Sequence, residues 1–298
     1  MLERLRNAAF ARLAPNRVYV RKVYREKTGK ELDLKHPRTF NEKIQWLKLY
    51  YRNPILTRMA DKVEAKEVVR ERLGSDRSVP TAAIFDNPGE IRLDDLPEAL
   101  ALKATHGSGW NIISRDKSEL DENEVRSYFR FWLGKSYYMY SKEWAYKYIR
   151  PRVICEPLLM DEHGELPLDY KVFCFSGKPQ FVQVDFDRFT NHTRAFYDCE
   201  WRKQPFSVGY PLSKKTLDRP QQLERMLDLA RVLSAELPFL RVDQYVVSGE
   251  IFIGELTAYP GNGLEKFTDE TWNRKLGDLL ELPSVSECAG PVPQQPTS

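Results

Sequence analysis

The chain has 298 residues, 42% hydrophobic and 30% charged, enough to bury a substantial core in one or two domains. Its net charge of +3 is too small to mark a nucleic-acid-binding protein, so no nucleic-acid partner is expected. No apolar run approaches the ~20 residues of a membrane span, the N-terminus MLERLRNAAFARL lacks a signal-peptide core, and Cys155, Cys174, Cys199 and Cys288 form no CxxC pair; together these predict a cytoplasmic protein with reduced thiols.

Residues 1–30 are strongly basic, and Leu2, Leu5, Ala9 and Leu13 fall at helical spacing before Pro15. A basic amphipathic helix is attracted to an anionic membrane surface or polymer, so a peripheral membrane contact through residues 1–30 is expected; a solvated helix face is the plainer alternative. Thr39-Phe40-Asn41-Glu42 has the pattern of a helix start, followed by an Ile44, Leu47, Tyr51 stripe. Asp61 can cap the next helix, VEAKEVVRERLG, with Gly74 at its end. Lys62 lies in that first turn, where the helix dipole disfavours a cation and a phosphate would repair the mismatch.

Residues 78–85, SVPTAAIF, read as a strand. PEALALKATH then leads into Gly107-Ser108-Gly109, and strand character resumes in WNIIS. A glycine turn lets backbone N–H groups approach an anion, and Lys103 sits just before it. Residues 121–150 are helical in tendency and rich in aromatics. RVICEPLLM is a short strand carrying Glu156. PLDYKVFCFSGKPQFVQVDFDRF is a hairpin in which Asp169 and Lys171 share a face, and AFYDCEW continues the sheet. Leu217–Leu237 reads as one helix and TWNRKLGDLLELP as a closing helix. The segment from Ser284 onward has a disordered composition.

The most informative stretch is LRVDQYVVSGEIFIGELTAYPGNG, Leu240–Gly263, a hairpin with Asp243 and Glu255 inside otherwise apolar strands. A three-residue turn, Ser248-Gly249-Glu250, puts Asp243 opposite Glu255 and Arg241 opposite Thr257, all on one face. A two-residue turn would put Asp243 opposite Gly254 and send Glu255 to the other face. We take the first register. Facing carboxylates repel, and a hard divalent cation is the usual remedy, although an acidic pair on a solvated face would also fit.

In order, these parts resemble an ATP-grasp enzyme. FNEKIQWLKLY, ADK, KATHGSGWN, DYKVFCFSGKP, NHTRAFYDCEW and RVDQYVV…IGELTAYPGNG are similar to the teichuronopeptide-biosynthesis (TupA-like) ATP-grasp family over about residues 36–283. The resemblance implies an α+β fold of two lobes with antiparallel sheets gripping ATP. The expected divisions are an N-terminal helical region 1–78, a small lobe 79–154, a large lobe 155–283 and a tail 284–298. Lys62 and Lys103 match the lysines on the ATP phosphates. Gly107, Ser108 and Gly109 match the loop that closes over them. Glu156 and Leu158 match the hinge beside adenine, and Asp169 the ribose side. Lys171 and Arg241 match cationic positions at the γ-phosphate and acceptor. Asp243 and Glu255 match the magnesium carboxylates. Thr257 replaces the Asn common in such enzymes, so water, Thr257 or Asn262 would complete the metal shell.

The implied chemistry is ADP-forming ligation of a carboxylate to an amine, with ATP and Mg2+ as cofactors. The family setting implies a uronic acid of a cell-envelope or capsular polysaccharide, or its precursor, and an amino acid or amine. His106, Arg188, Asn191, His192 and Arg194 are candidates for the acceptor side. Two other classes compete. A glycosyltransferase would use Asp185 and Asp187 as a DxD metal site, and a non-catalytic ATP sensor or polymer binder would need no reactive carboxylates.

Overall fold

The computed structural model describes residues 10–188 and 190–284. Most of the proposed basic helix before Pro15 and nearly all of the tail, including Cys288, lie outside them. Among the described residues from 16 onward, helices α1 (Asn16–Thr28), α2 (Phe40–Tyr50), α3 (Ile55–Ala60) and α4 (Glu64–Leu73) precede the sheets. Helix α2 starts on a full capping box: Thr39 accepts from the Glu42 backbone N–H, and the Glu42 carboxylate accepts from the Thr39 N–H at 2.9 Å. Replacing Thr39 with Ala should therefore lower stability by about 1 kcal/mol, read as an earlier urea midpoint; an unchanged midpoint would show the box idle. Gly74 ends α4 in the left-handed conformation, as its position predicted.

Two antiparallel sheets follow. The first has the order β1 (Ala83–Phe85), β4 (Val153–Pro157), β2 (Leu100–Ala104), β3 (Asn111–Ser114). Because side chains alternate along a strand, Leu100, Leu102, Ala104, Val153 and Cys155 enter one small core with Val125 and Phe129 of helix α5 (Glu122–Leu133). That leaves Lys103 and Glu156 on the other face. β4 pairs with β1 and β2, so the expected division at residue 154 falls inside a strand of the first sheet. Of the expected strand 78–85, only Ala83–Phe85 joins this sheet. Pro80 has no N–H to give a ladder, and Ser78 instead bridges to Ile253 of the second sheet.

The second sheet has the order β7 (Thr193–Asp198), β6 (Lys178–Phe186), β5 (Asp169–Phe175), β8 (Phe239–Val247), β9 (Glu250–Thr257). Helix α6 (Tyr137–Ser141) precedes it, helix α7 (Leu223–Ser234) packs on its back, and helix α8 (Glu270–Leu279) is the last helix among the described residues. Helix α7 is shorter than the expected 217–237. Pro220 disfavours helix before it, and Leu217 is held elsewhere, its N–H donating to the Tyr197 hydroxyl and its carbonyl accepting from the Trp201 indole. Across the front of the sheet, Phe173, Phe175 and Phe239 pack against Phe40 of α2.

The β8–β9 hairpin reaches the expected pairing by a different route. Its turn is the two-residue Ser248-Gly249, both at positive φ (49° and 80°), with Val247 opposite Glu250. That register alone would put Gly254 against Asp243. A β-bulge next to Asp243 absorbs one extra residue, and beyond it Asp243 faces Glu255 and Arg241 faces Thr257. Gly254 is suited to this place because the Tyr245 ring lies over it: a Cβ there would come within 2.5 Å of the ring.

Candidate active site

A cleft of about 640 Å³ opens between the two sheets. From the first sheet and its surroundings it is lined by Lys62, Lys103, Ser108, Gly109, Glu156 and Leu158. From the second it is lined by Asp169, Lys171, Arg188, His192, Arg194, Arg241, Asp243 and Glu255. These come from segments nearly 200 residues apart, and sheet alternation points most of them inward.

On the first wall, Glu156 is 5% exposed and receives two lysines, Lys103 at 2.6 Å and Lys66 at 2.5 Å. Burial works against its ionisation, but the two ammonium groups outweigh that and hold its pKa below the usual value. Lys62 donates to the Gly107 carbonyl at 2.5 Å, which ties the start of α4 to the glycine loop. Burial lowers the Lys62 pKa, and neighbouring Lys103 adds to the shift. Gly107 has the Trp110 ring directly against it; a Cβ would sit 2.6 Å from a ring carbon. Trp110 in turn meets Tyr137 edge-on at 5.6 Å.

On the second wall the carboxylates are already compensated. Asp243 accepts from Arg241 Nε at 2.6 Å, Arg241 Nη2 at 2.8 Å and Lys171 Nζ at 3.1 Å. Burial opposes its charge, yet these cations hold its pKa low. Lys171 also donates to Asp169, as does Arg188 at 2.9 Å. Asp169 is 4% exposed and its Oδ1 has no hydrogen-bond partner, while burial keeps its pKa raised. Repulsion between Asp243 and Glu255 is thus relieved by Arg241 and Lys171 within the protein itself. Glu255 remains exposed to the cleft.

Thr257 is engaged with its neighbours on the same face. Its hydroxyl donates to Glu255 Oε1 at 2.8 Å and accepts from Arg241 Nη2 at 3.2 Å, so it orients those two groups. Asn262 is further removed. Its side-chain oxygen accepts from buried Lys48 and its carbonyl from Gln45 Nε2 at 2.7 Å, underneath α2. Among the described residues no group of three or more His, Cys, Asp and Glu is placed to hold a metal ion. Asp243 and Glu255, the two carboxylates expected to hold magnesium, face each other across β8 and β9 and both line the cleft. That donor set fits magnesium, which commonly takes one or two carboxylates with the remainder from phosphate and water.

The acceptor-side candidates divide. Arg188 faces the cleft with its side chain 46% exposed. Arg194 is buried and committed to Asp185 at 2.6 Å and to the Val208 carbonyl. His192 stacks on Tyr210 with ring centres 3.6 Å apart. His106 does not line the cleft: it is 3% exposed, shares a hydrogen bond with the Lys135 carbonyl at 3.1 Å, and packs on Trp110. Asp185 and Asp187 are taken by different cations, Arg194 and Lys215, the latter at 2.7 Å, so they do not act as a pair. Lys66, Tyr245, Tyr210 and Glu265 also line the cleft. Lys66 lies in the first turn of α4, whereas Lys62 precedes that helix, so the sequence pattern did not single it out. No local pattern marks the other three.

A cleft between two antiparallel sheets, with lysines on one wall and adjacent carboxylates among cations on the other, defines an ATP-grasp protein. More particularly, the TupA-like ATPgrasp family matches residues 42–281, and the chain belongs to that family. The fold is also similar to that of several solved structures. One is an ADP complex of N5-carboxyaminoimidazole ribonucleotide synthetase: 17% identity, TM-score 0.46, covering 75% of this chain and 52% of that one. Another is D-alanine–D-alanine ligase from Bacillus anthracis with ATP: 17% identity, TM-score 0.42, covering 76% and 64%. A third is phosphoribosylamine–glycine ligase from Thermotoga maritima: 14% identity, TM-score 0.44, covering 72% and 52%. The chain thus spans between 52% and 64% of the length of these three. Comparison with curated proteins gives no match.

Proposed function

We propose that the protein is an ATP- and magnesium-dependent, ADP-forming carboxylate–amine ligase. The observation that carries this reading is the single cleft joining Lys62 and Lys103 to Lys171, Arg241, Asp243 and Glu255. Four cations around one space suit a triphosphate, and no cysteine lines the cleft among the described residues. A carboxylate oxygen of the substrate attacks the γ-phosphorus and ADP leaves. The amine nitrogen then attacks the acyl carbon, phosphate leaves, and the nitrogen gives up a proton. Lys171 and Arg241 offset the charge of the phosphoryl group in transfer, and Lys62 and Lys103 hold the remaining phosphates. Asp243 and Glu255 would hold magnesium, which supplies charge neutralisation at phosphate oxygens. Lys62 on the Gly107 carbonyl links nucleotide binding to the loop that keeps water from the acyl phosphate.

The family membership supports a uronic acid of a cell-envelope or capsular polysaccharide, or its precursor, as the carboxylate partner, and an amino acid or amine as the other. A cytoplasmic protein working at the inner face of the membrane suits such a substrate. No helix among the described residues is long and apolar enough to cross a membrane, and the exposed arginines Arg17, Arg21 and Arg25 of α1 would supply a peripheral contact. The glycosyltransferase reading loses its motif once Asp185 and Asp187 are separately neutralised.

Hydroxylamine tests the reaction directly. With ATP, magnesium and a glucuronate- or galacturonate-containing glycan, the expected products are hydroxamate and ADP in equal amounts. AMP with pyrophosphate, or consumption of a UDP-sugar with ATP untouched, would overturn the ligase reading.

A further inference from the structure

The β7 end of the cleft carries a carboxylate that the phosphate-side cations leave uncompensated. Glu265 lines the cleft with its side chain 32% exposed. Its nearest cation is Arg194, at 3.6 Å, too far for a hydrogen bond. Arg194 is also spent elsewhere, on Asp185 at 2.6 Å, on the Val208 carbonyl, and on the Tyr210 ring, 4.9 Å from its centre. Arg194 thus serves both Asp185, which also has His192 Nε2 at 3.2 Å, and Glu265, which has no other cation within 4 Å among the described residues. By contrast, Asp243, Asp169 and Glu156 each accept hydrogen bonds from at least one lysine or arginine.

The position of Glu265 is built rather than incidental. Its carboxylate lies over two glycines: a Cβ on Gly209 would come within 2.5 Å of Oε1, and one on Gly261 within 2.3 Å of Oε2. Both glycines have positive φ, 76° and 54°, where other residues are strained. The Glu265 backbone is fixed from behind, its carbonyl accepting from Asn41 Nδ2 at 2.8 Å. Beside it Tyr210 is 41% exposed, with His192 stacked on its ring. The Tyr210 ring is already covered by His192 and Arg194, so recognition of a cation here falls to the open carboxylate, through a charge-assisted hydrogen bond.

We propose that Glu265 docks the amine partner as its ammonium ion, with Tyr210 as the flanking wall, so that the cleft sorts its two substrates by charge; before attack the nitrogen gives one proton to the Glu265 carboxylate or to water and becomes the neutral nucleophile. The cationic region around Lys171, Arg241 and Arg188 takes the carboxylate partner, and the anionic corner beyond β7 takes the amine. This rests on the ligase reading and adds a recognition residue to it.

The test is saturation-transfer NMR on the full chain loaded with magnesium and a non-hydrolysable ATP analogue. The probes are methylamine, ethylamine, glycine and alanine, each beside its N-acetylated form. Free amines should give transfer, and N-acetylation should lower it at least tenfold. Glu265→Gln should lower transfer from the free amines at least tenfold while leaving analogue affinity unchanged, and Glu265→Asp, which keeps the charge, should recover part of it. Equal transfer from acetylated probes, equal signals in the Gln variant, or no amine signal with nucleotide bound would each overturn the proposal. If the Gln variant does not fold, the acetylation comparison on the wild-type chain decides. Failure of the wild-type chain to bind the analogue at all would instead overturn the ligase reading, and the docking site with it.

Discussion

Glu255→Gln should lower ADP formation about 100- to 1,000-fold while leaving the melting temperature near its wild-type value, and Asp243→Asn should lower both. The two carboxylates face each other but live in different surroundings. Glu255 is exposed to the cleft and hydrogen-bonded to the Thr257 hydroxyl; it supports the charges of Lys62 and Arg241 only through space, with no direct ion pair to either. Asp243 is 4% exposed and compensates Arg241 and Lys171. An amide there leaves two buried cations short of an anion, a change that typically costs about 3–5 kcal/mol. Thermal melts and ADP release on both variants would separate the effects. Wild-type turnover in Glu255→Gln at the wild-type magnesium optimum would remove the metal assignment. A wild-type melting temperature in Asp243→Asn would show that the cations do not depend on it.

Gly254→Val should cost about 1–3 kcal/mol in stability and lower turnover by at least an order of magnitude. The new side chain starts 2.5 Å from the Tyr245 ring, so either the ring moves or the bulge shifts. Tyr245 stands in the cleft beside Asp169 and Asp243, and a moved ring disturbs the pocket. A shifted bulge takes Glu255 off the face it shares with Asp243, because side-chain direction alternates with every residue. Urea unfolding reports the first effect and the magnesium dependence of ADP release the second. A variant with wild-type midpoint and turnover would show that the bulge does not fix the carboxylate pair.

The hairpin also shows what the sequence carried and how. Asp243 and Glu255 were recognisable as a cross-strand pair because acids inside apolar strands need a reason. The pairing proved right for a different cause: a two-residue turn, followed by a bulge at a glycine that a ring requires. Turn length and bulge position compensate each other, and nothing local to either strand reveals that.

The sequence by itself determined many of the local elements and the direction of the cleft's charged strand residues. The capping box at Thr39, the glycine that ends α4, and the alternation that turns Lys103, Glu156, Asp169, Lys171 and Asp243 inward all follow from short-range rules. Tertiary structure alone decided who compensates whom. It gave Arg241 and Lys171 to Asp243, Lys66 to Glu156 and Arg194 to Asp185. It bonded Thr257 to Glu255 and tied the Asn262 side chain to Lys48, away from the facing pair Asp243 and Glu255. It brought Glu265 over Gly209 and Gly261 into a corner with Tyr210. The physical reason is range. Capping and alternation act over a few residues and are written where they act, whereas an ion pair depends on distance in space, which only the packed chain fixes.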